Sequence, residues 1–588
     1  LARFLDAWRG GRVATMTSIV AGPHAVVAKT FRQQSDALGA WPARTTATSI
    51  RQTGERAVAR TAVEFRLGTG APFRYSNTVS LVHTARGWRI PWRPAIVHPQ
   101  LTGATRFHTT REFQPRAPIL ADDATPLTVT ASVVTVGAEP GRLDEGAAAA
   151  ALQSTLGIDP ADLHARITAP GVQPNYFVPI TTVDNEKYQS VKAIIHDIAG
   201  LIFHASTERA AATEQLAAQV IGRTGPITAD LLKQLGAPYR VGDIVGLNGL
   251  ERALEARLAG DAVVTIDLVD AQDQVKDQLL HRPGTPPQPV RTTLDLPTQR
   301  AAEAAIGSTA PAALVAIRPS DGAVRAVVST PLTDFDRALD GAYPPGSTFK
   351  VVTSGALLAN GTTEDTPIDC PPTITVNGRT FKNFEGEAEG AIPFRRAFAI
   401  SCNTAFIGLA EKLPDSALSE AAKQFGFDTL PSISLPARGG SFPEPKDATE
   451  KVAAAIGQGR VTASPLAMAG VAATVASGTW HPPSLITDPA PTAAASATTP
   501  LASTVVDPLR DLMTGVVQTG TGIAAAVAGQ PIAGKTGTAE FGSDVPPKTH
   551  AWFIGFRNDL SFAVLVEGGG VGGRVAAPIA HSFLLGAP

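Results

Sequence analysis

The chain has few of the residues that could hold its fold together by cross-links or metal ions. It contains only two cysteines, Cys370 and Cys402, in 588 residues. Neither a disulfide framework nor a cysteine-based metal cluster can therefore organise it. The two thiols could pair if the protein is exported, but their spacing alone shows no pairing, and buried free thiols are the preferred interpretation. A chain of this length must rest on hydrophobic cores, and more than one is expected.

The chain also lacks a dominant charge and a long hydrophobic run. Its 50 Lys and Arg residues nearly balance 52 Asp and Glu residues, which leaves a net charge of −2. This balance gives no electrostatic case for binding nucleic acid. No run of about 18 apolar residues occurs, so we expect no segment to span a bilayer. Because the sequence begins with Leu1 rather than Met, we expect a mature or trimmed chain from which an anchor segment is missing.

Residues 1–110 predict a small α+β domain. Phe4, Leu5 and Trp8 recur at helical spacing, whereas residues 63–67 alternate strictly between apolar and charged side chains. The first pattern predicts an amphipathic helix and the second a half-buried strand. Short helices against a curved antiparallel sheet are the simplest fold for this part of the chain.

Residues 111–290 mix extended and helical patterns. Residues 127–136 predict a strand, and residues 145–156 and 210–221 predict helices. We interpret this stretch as a packing or spacing domain.

Residues 291–588 predict a sheet with helices on its faces. Residues 313–317 and 323–328 are two apolar runs joined by a turn, and residues 552–556 and 562–566 form a second such pair. Helical patterns lie between the two pairs, so we predict a multidomain α+β protein.

A first chemical motif is the tetrapeptide Ser347-Thr348-Phe349-Lys350, which follows Pro-Pro-Gly and occurs once. On a helix, Ser347 and Lys350 lie on one face, so the amine can reach the hydroxyl. The positive end of a helix favours an alkoxide and lowers the pKa of an amine, which lets a neutral Lys350 accept a proton. Taken alone, a helix-capping Ser beside a solvated Lys is the commoner arrangement.

A second motif, Ser401-Cys402-Asn403, follows the helical pattern of residues 394–400. The Ser401 hydroxyl can relay a proton to a leaving group, and the Asn403 amide can hold a substrate carbonyl. The alternative is a helix end at which both side chains satisfy their own backbone groups.

A third motif is Lys535-Thr536-Gly537-Thr538, set among small residues. It predicts a strand whose backbone a ligand can approach closely. Lys535 could attract a carboxylate, and Thr538 could offer a hydroxyl and a backbone N–H. The alternative is an exposed edge strand protected by its Lys.

Together, the ordered set Ser-x-x-Lys, Ser-x-Asn, Lys-Thr-Gly resembles the signature of penicillin-binding proteins and serine β-lactamases. Four further segments resemble landmarks of class B penicillin-binding proteins, namely residues 292–295, 343–350, 456–459 and 551–555. Residues 242–251 look like the segment that closes the dimerisation or pedestal domain of that class. Residues 1–110 look like the NTF2-like extension of methicillin-resistance-type members.

The resemblance implies three domains: an NTF2-like extension (1–110), a dimerisation or pedestal domain (111–290) and a transpeptidase domain (291–588). It implies no glycosyltransferase module. One departure concerns residues 116–124, which lack two glycines and an Asp-Arg pair usual near the start of the pedestal.

The resemblance also implies a role for each motif residue. Ser347 is the expected nucleophile and Lys350 its base, while Ser401 and Asn403 serve the leaving group and the substrate amide. The expected substrate-binding strand consists of Lys535, Thr536, Gly537 and Thr538. Neither metal nor organic cofactor is needed for this chemistry.

The implied function is peptidoglycan D,D-transpeptidation, in which Ser347 is acylated by a D-Ala-D-Ala stem peptide or by a β-lactam. The expected location is the extracytoplasmic face of a bacterial membrane, with a glycan polymerase as a partner. The alternatives are a β-lactamase, a D,D-carboxypeptidase, or a β-lactam-binding sensor or scaffold.

Overall fold

The computed structural model describes residues 1–67, 72–213, 216–236, 239–309, 311–332, 335–490, 499–544 and 546–588. Helices and strands of these residues alternate along the whole chain. The helices are α1 Ala2–Arg9, α2 Val13–Ile19, α3 His24–Leu38, α4 Glu145–Leu156, α5 Pro160–Ile167, α6 Asn185–Ile195, α7 Ala218–Ile221, α8 Ala229–Leu235, α9 Gly249–Ala253, α10 Glu255–Ala259, α11 Leu296–Ile306, α12 Lys350–Ala359, α13 Phe394–Ala399, α14 Asn403–Glu411, α15 Ala417–Gln424, α16 Ala448–Ala455, α17 Pro465–Ser477, α18 Ser503–Thr519 and α19 Gly572–Gly586.

The strands are β1 Val20–Ala21, β2 Arg44–Thr53, β3 Arg56–Phe65, β4 Phe73–Thr84, β5 Gly87–Pro91, β6 Arg106–Glu112, β7 Ile119–Leu120, β8 Thr128–Ala138, β9 Val178–Asp184, β10 Leu201–Ala211, β11 Thr224–Pro226, β12 Ile244–Gly246, β13 Val263–Val269, β14 Val275–Arg282, β15 Val290–Thr292, β16 Ala312–Arg318, β17 Ala323–Thr330, β18 Pro367–Cys370, β19 Thr373–Val376, β20 Arg379–Lys382, β21 Gly390–Pro393, β22 Ile486–Asp488, β23 Ala533–Phe541, β24 Lys548–Arg557 and β25 Leu560–Val566. None of the helices in the described ranges has both the length and the hydropathy that crossing a membrane would require.

One compact unit consists of Leu1–Ala117, Gly225–Val245 and Leu254–Gln288. Its largest sheet has the strand order β1-β5-β4-β3-β2, in which neighbours are antiparallel except for the short β1–β5 pair. The helical spacing of Phe4, Leu5 and Trp8 is confirmed, because all three lie on α1 and are buried in the core of this unit. The predicted alternation is confirmed on β3, whose burial alternates along the strand.

The other unit consists of Pro118–Thr224, Gly246–Ala253 and Pro289–Pro588. Near its start, β8 lies between β10 and β9 in an antiparallel sheet, and helices α4, α5 and α6 share its core. The predicted domain boundaries at residues 110 and 290 stay predictions.

The helix predicted over residues 210–221 is wrong for its first residues. Ala210 and Ala211 belong to β10, where they pair with Val129 and Thr128 of β8. Helix α7 is confined to Ala218–Ile221, and residues 214 and 215 lie outside the described residues. Pairing along the full length of β8 outweighs the strong helix preference of alanine, because tertiary contacts override intrinsic propensity.

The two predicted strand pairs of the last part of the chain are confirmed. They belong to one antiparallel sheet with the order β17-β16-β25-β24-β23. Helices α11 and α19 contribute to the core on this sheet, and α17 contacts β16, β24 and β25. Strand β23, which carries the third motif, stands at an edge of the sheet, where a further strand can be added.

Candidate active site

Ser347 lies on a 3₁₀ turn, Gly346–Phe349, that runs directly into α12. Gly346 begins this turn with φ of +53°, a conformation that favours glycine, and its N–H donates to the carbonyl of Gly457 at 2.9 Å. The hydroxyl of buried Thr348 donates to the Pro345 carbonyl at 2.7 Å. The flanking residues therefore hold the turn in place and leave Ser347 half-buried at the start of a helix.

Two long-range contacts hold the approach to this turn. The Trp552 indole N–H donates to the Pro344 carbonyl at 3.1 Å. The Tyr343 hydroxyl donates to Glu567 at 2.5 Å, and Arg337 lies 2.9 Å from the same carboxylate. Sequence reasoning did not predict these contacts, because no local pattern links residues more than 200 positions apart.

Lys350 is completely buried beside the turn. Its Nζ donates to the Ser401 carbonyl at 2.7 Å, to Asn403 Oδ1 at 2.7 Å and to Ser401 Oγ at 3.3 Å. The amine thus binds the second motif rather than the Ser347 hydroxyl, and hydrogen bonds between catalytic groups often tighten only when substrate is bound. Burial, together with the charge of Lys535, lowers the pKa of Lys350 well below its ordinary value.

The second motif lies in the turn between α13 and α14. Ser401 has φ of +62°, and Asn403 begins α14. This turn directs the carbonyl and hydroxyl of Ser401 and the amide oxygen of Asn403 toward the two lysines. The predicted Ser-x-Asn turn is therefore present, with both of its polar side chains engaged.

Lys535 on β23 is also completely buried. Its Nζ donates to Ser401 Oγ at 2.8 Å and to the Thr536 carbonyl at 3.1 Å. Burial lowers its pKa to about 7. The amine therefore contacts Ser401 from a buried position and is not exposed on the strand.

The two threonines of the third motif have different surroundings. The Thr536 hydroxyl lies 2.6 Å from the Thr521 hydroxyl. The Thr538 hydroxyl accepts a hydrogen bond from the N–H of Gly572 at 3.2 Å and is partly exposed. Because this hydroxyl accepts that bond, its own hydrogen remains available to a ligand.

Close packing joins β23 to the 3₁₀ turn of Ser347. A Cβ placed on Gly537 would lie 2.9 Å from both Thr348 Cγ2 and Trp552 Cβ. A Cβ placed on Gly346 would lie 2.9 Å from that of Ala539. Only glycine allows the two backbones to approach so closely, so the first and third motifs are adjacent in space.

Two aromatic rings enclose the lysines, and sequence reasoning did not predict them. The Lys350 Nζ lies 5.2 Å from the ring centre of Phe406, and the Lys535 Nζ lies 5.7 Å from that of Phe398. Both rings are fully buried. Phe398 and Phe406 lie on either side of Ser401-Cys402-Asn403 in the sequence, and this position was the one sequence signal that could have predicted their contact with the lysines. The rings help to bury the amines, and burial is the main cause of both lowered pKa values.

The preferred interpretation of the cysteines was wrong, since Cys370 and Cys402 form a disulfide. Cys402 is the middle residue of the second motif, and Cys370 ends β18. The bridge is buried among Ala397 and Ala405. The two cysteines are 32 residues apart, and only the folding of β18 and α14 against each other brings them together.

Two family models match this chain. Residues 112–292 match the penicillin-binding protein dimerisation domain, and residues 312–585 match the penicillin-binding protein transpeptidase domain. The chain contains the dimerisation and transpeptidase domains of penicillin-binding proteins. The Ser347, Ser401 and Lys535 motifs all fall inside the matched transpeptidase domain.

Several curated relatives of this chain are peptidoglycan D,D-transpeptidases by name. PbpA of Mycobacterium tuberculosis is 34% identical over 326 residues, which cover 46% of this chain and 66% of the relative. PbpA of Mycolicibacterium smegmatis is 35% identical over 328 residues, which cover 47% of this chain and 66% of the relative. MrdA of Acinetobacter baumannii is 27% identical over 442 residues, which cover 63% of this chain and 65% of the relative. The chain thus spans just under two thirds of the length of these relatives.

Solved structures extend the likeness in fold. One similar chain comes from the structure of a peptidoglycan synthase complex that coordinates polymerization and crosslinking. It aligns with a TM-score of 0.62 and 25% identity over 83% of this chain and 92% of its own length. A chain from a complex between penicillin-binding protein PBP2 and MreC of Helicobacter pylori aligns with a TM-score of 0.61 at 21% identity. The alignment covers 81% of this chain and 98% of that chain. The second comparison shows the fold alone.

Proposed function

We propose that this chain is a class B penicillin-binding protein and a peptidoglycan D,D-transpeptidase that works through an acyl-enzyme at Ser347. The observation that carries the proposal is the meeting of Lys350 and Lys535 at Ser401, next to the turn that bears Ser347. A buried amine with a lowered pKa is neutral at a pH where an ordinary Lys is charged, so it can act as a base.

In the proposed first step, Lys350 accepts the proton of Ser347 as the serine oxygen attacks the carbonyl between two D-alanines. The backbone N–H groups of Ser347 and Thr538 stabilise the oxyanion. Loss of one such donor typically costs about 100- to 1,000-fold in rate. The substrate lies along β23 as an added strand, a placement that the edge position of β23 supports.

The leaving D-alanine receives its proton through Ser401, which already contacts both amines. Asn403 holds the amide of the stem peptide. Lys535 supplies positive charge and Thr538 a hydroxyl for the terminal carboxylate, while Thr536 and Gly537 form the strand beside them. An amine of a second stem peptide then attacks the acyl-enzyme, which completes the cross-link and frees Ser347.

The test is intact-protein mass spectrometry over time after exposure to penicillin, together with a cross-linking assay on stem peptides. We expect a long-lived adduct of one penicillin on the parent protein and none on Ser347→Ala. The matched control is Ser354→Ala on the same helix, because the buried Ser354 hydroxyl has no partner among the described residues. This control should label normally.

Other outcomes would contradict the proposal. Labelling of Ser347→Ala would exclude Ser347 as the nucleophile. Rapid loss of the adduct with β-lactam hydrolysis would indicate a β-lactamase, and release of D-alanine without cross-linked product would indicate a carboxypeptidase. An adduct without turnover of any peptide would indicate a sensor or scaffold.

We also propose that residues 1–110 form an NTF2-like extension, followed by a dimerisation domain over residues 111–290 and a transpeptidase domain over residues 291–588. Helices α1, α2 and α3 beside the sheet of β1 to β5 support the first assignment. An experimental structure of the chain tests it, and a sheet order other than β1-β5-β4-β3-β2 would exclude it.

We propose that the protein works at the extracytoplasmic face of a bacterial membrane with a glycan polymerase. The Cys370–Cys402 disulfide supports an oxidising compartment. The peptidoglycan synthase complex among the solved relatives supports a polymerase partner. Fractionation of the native producing cells tests the location, and recovery in the cytoplasm would exclude it.

A further inference from the structure

Ser401 has a strained backbone. Its φ of +62° lies in the left-handed region, which side chains other than glycine rarely adopt. Such a conformation persists only where the surrounding structure holds it. The geometry around both lysines depends on it, because Lys350 binds the Ser401 carbonyl at 2.7 Å and Lys535 binds the Ser401 hydroxyl at 2.8 Å.

A covalent tie lies next to this strained residue. Cys402 follows Ser401 directly and precedes the first residue of α14, and its disulfide partner Cys370 ends β18. Both cysteines are almost fully buried, with 3% and 1% of their surface exposed. The bridge therefore attaches the Ser401 turn to a separate segment of the same unit.

Hydrogen bonds reinforce this attachment through Asn383, which is 2% exposed. Its amide N–H groups donate to the Pro371 carbonyl at 2.9 Å and to the Glu387 carbonyl at 2.7 Å, and its Oδ1 accepts from the N–H of Thr404 at 3.0 Å. The Thr404 hydroxyl donates to the Pro371 carbonyl at 2.7 Å. The residues after Cys370 and after Cys402 are thus joined a second time, beside the disulfide.

We propose that the Cys370–Cys402 disulfide, supported by Asn383, is a positioning clamp for Ser401 and Asn403, so that acylation of Ser347 is fast only while the bridge is closed. This inference rests on the proposed acyl-enzyme function. Neither cysteine is a catalytic residue. Each acts through the turn that presents Ser401 and Asn403 to the lysines.

The clamp makes acylation sensitive to thiol reductants. A dithiol such as dithiothreitol transfers two electrons and two protons to the bridge, so that Cys370 and Cys402 become thiols and the reductant becomes a cyclic disulfide. Without the bridge, the Ser401 turn can relax from its left-handed conformation. The distances from Ser401 and Asn403 to the two amines would then increase.

The experiment is stopped-flow acylation by a chromogenic β-lactam over a range of concentrations. It separates the dissociation constant of the non-covalent complex from the rate constant of acylation. For Cys370→Ala/Cys402→Ala, we expect the acylation rate constant to fall about ten- to a hundredfold, the size of effect that a displacement near 1 Å can produce. The dissociation constant should change less than the acylation rate constant, because Thr538 lies on β23, which the bridge does not join.

Reduction of the parent protein supplies a second measurement. Dithiothreitol should lower the acylation rate constant of the parent, and reoxidation should restore it, whereas the double variant should respond to neither treatment. The matched control for a general loss of stability is Ile306→Val, which deletes a buried methyl group from α11 on the core of the five-stranded sheet. This variant should keep the parental rate constant.

An unchanged rate constant in the folded double variant would overturn the clamp. If the double variant does not fold, Thr404→Val keeps the bridge and removes the hydroxyl contacts with Asn383 and Pro371. Unchanged rate constants in this variant and in the reduced parent would then overturn the proposal. A parent protein that is never acylated would instead contradict the proposed function, so the two failures are distinguishable.

Discussion

At the scale of single residues, the most unusual feature of the site is a pair of buried lysines. Lys350 and Lys535 both contact Ser401, and the aromatic rings of Phe398 and Phe406 lie beside them. Desolvation penalises a charged amine, and a second amine nearby adds repulsion, so both effects favour a neutral Lys350. This is the electronic state that a proton acceptor needs.

The lowered pKa of Lys350 predicts how acylation depends on pH. Below that pKa the amine is protonated and cannot accept the Ser347 proton, so the rate must fall as the pH falls and rise as the pH rises through it. Because burial and Lys535 lower this pKa from its ordinary value of 10.5, the rise should lie below pH 10.5. Stopped-flow acylation from about pH 5 to about pH 10 measures it.

The matched control for the pH profile is Lys423→Met, since Lys423 is exposed on α15. It should leave the profile unchanged, whereas Lys350→Met should abolish the rising limb. A rate of acylation that is still rising steeply at about pH 10, as an ordinary lysine would give, would contradict the role of burial.

Thr538→Val tests recognition of the terminal carboxylate. The Thr538 hydroxyl accepts from Gly572 and has its hydrogen available for a ligand. A hydrogen bond to a charged group contributes about 1.5–3 kcal/mol, so non-covalent β-lactam binding should weaken roughly ten- to a hundredfold.

Concentration-dependent acylation kinetics measure the effect of Thr538→Val. The control is Thr375→Val, because Thr375 pairs with Thr380 in the exposed β19–β20 hairpin. Equal dissociation constants for the parent and Thr538→Val would remove Thr538 from carboxylate binding.

At the scale of elements, a glycine loop after α16 supports the turn of the nucleophile. Gly457 and Gly459 have φ of +70° and +73°, so alanine is strained at both positions, by about 1–2 kcal/mol. Their surroundings differ, however. A Cβ on Gly457 would lie 2.1 Å from the Gly346 carbonyl oxygen, whereas one on Gly459 meets only Ala453 Cβ at 3.9 Å.

This difference predicts unequal effects of two similar substitutions. Gly457→Ala should push the Gly346 backbone away and abolish most penicillin labelling of Ser347, in addition to lowering the melting temperature. Gly459→Ala should lower the melting temperature modestly and keep most of the labelling. Labelling kinetics and thermal melts measure both, and equal labelling of the two variants would show that the loop does not support the turn.

The elements also show where sequence patterns succeed. Alternating and apolar runs predicted β3, β16, β17, β24 and β25, because each contributes a continuous face to a core. The prediction of a helix over residues 210–221 failed at its start, because backbone pairing with β8 overrides the helix preference of Ala210 and Ala211.

At the scale of the whole molecule, the unit that begins the chain is discontinuous in sequence. Strand β6 pairs with β13, and Ile266 and Leu268 of β13 belong to the same core as Phe4 and Trp8. The segment Leu254–Gln288, which contains β13, therefore depends on partners that come far earlier in the chain.

A truncation tests this dependence. Deletion of residues 1–105 should expose the apolar face of β13 and make residues 254–288 sensitive to protease, because their core partners are lost. Penicillin labelling of Ser347 should persist, since Ser347 belongs to the other unit. Limited proteolysis with mass spectrometry measures the first effect, and unaltered protection of residues 254–288 would contradict it.

The amino-acid sequence by itself determined the family resemblance, the motif residues and the alternating strands. Each of these depends on residues close together in the chain, where spacing dictates which side chains share a face. The tertiary structure decided that both lysines bind Ser401, that Phe398 and Phe406 enclose them, and that Cys370 and Cys402 are joined. These contacts connect distant positions, and the folded backbone alone brings them within reach. Burial, and with it the pKa of each amine, follows from that packing rather than from local sequence.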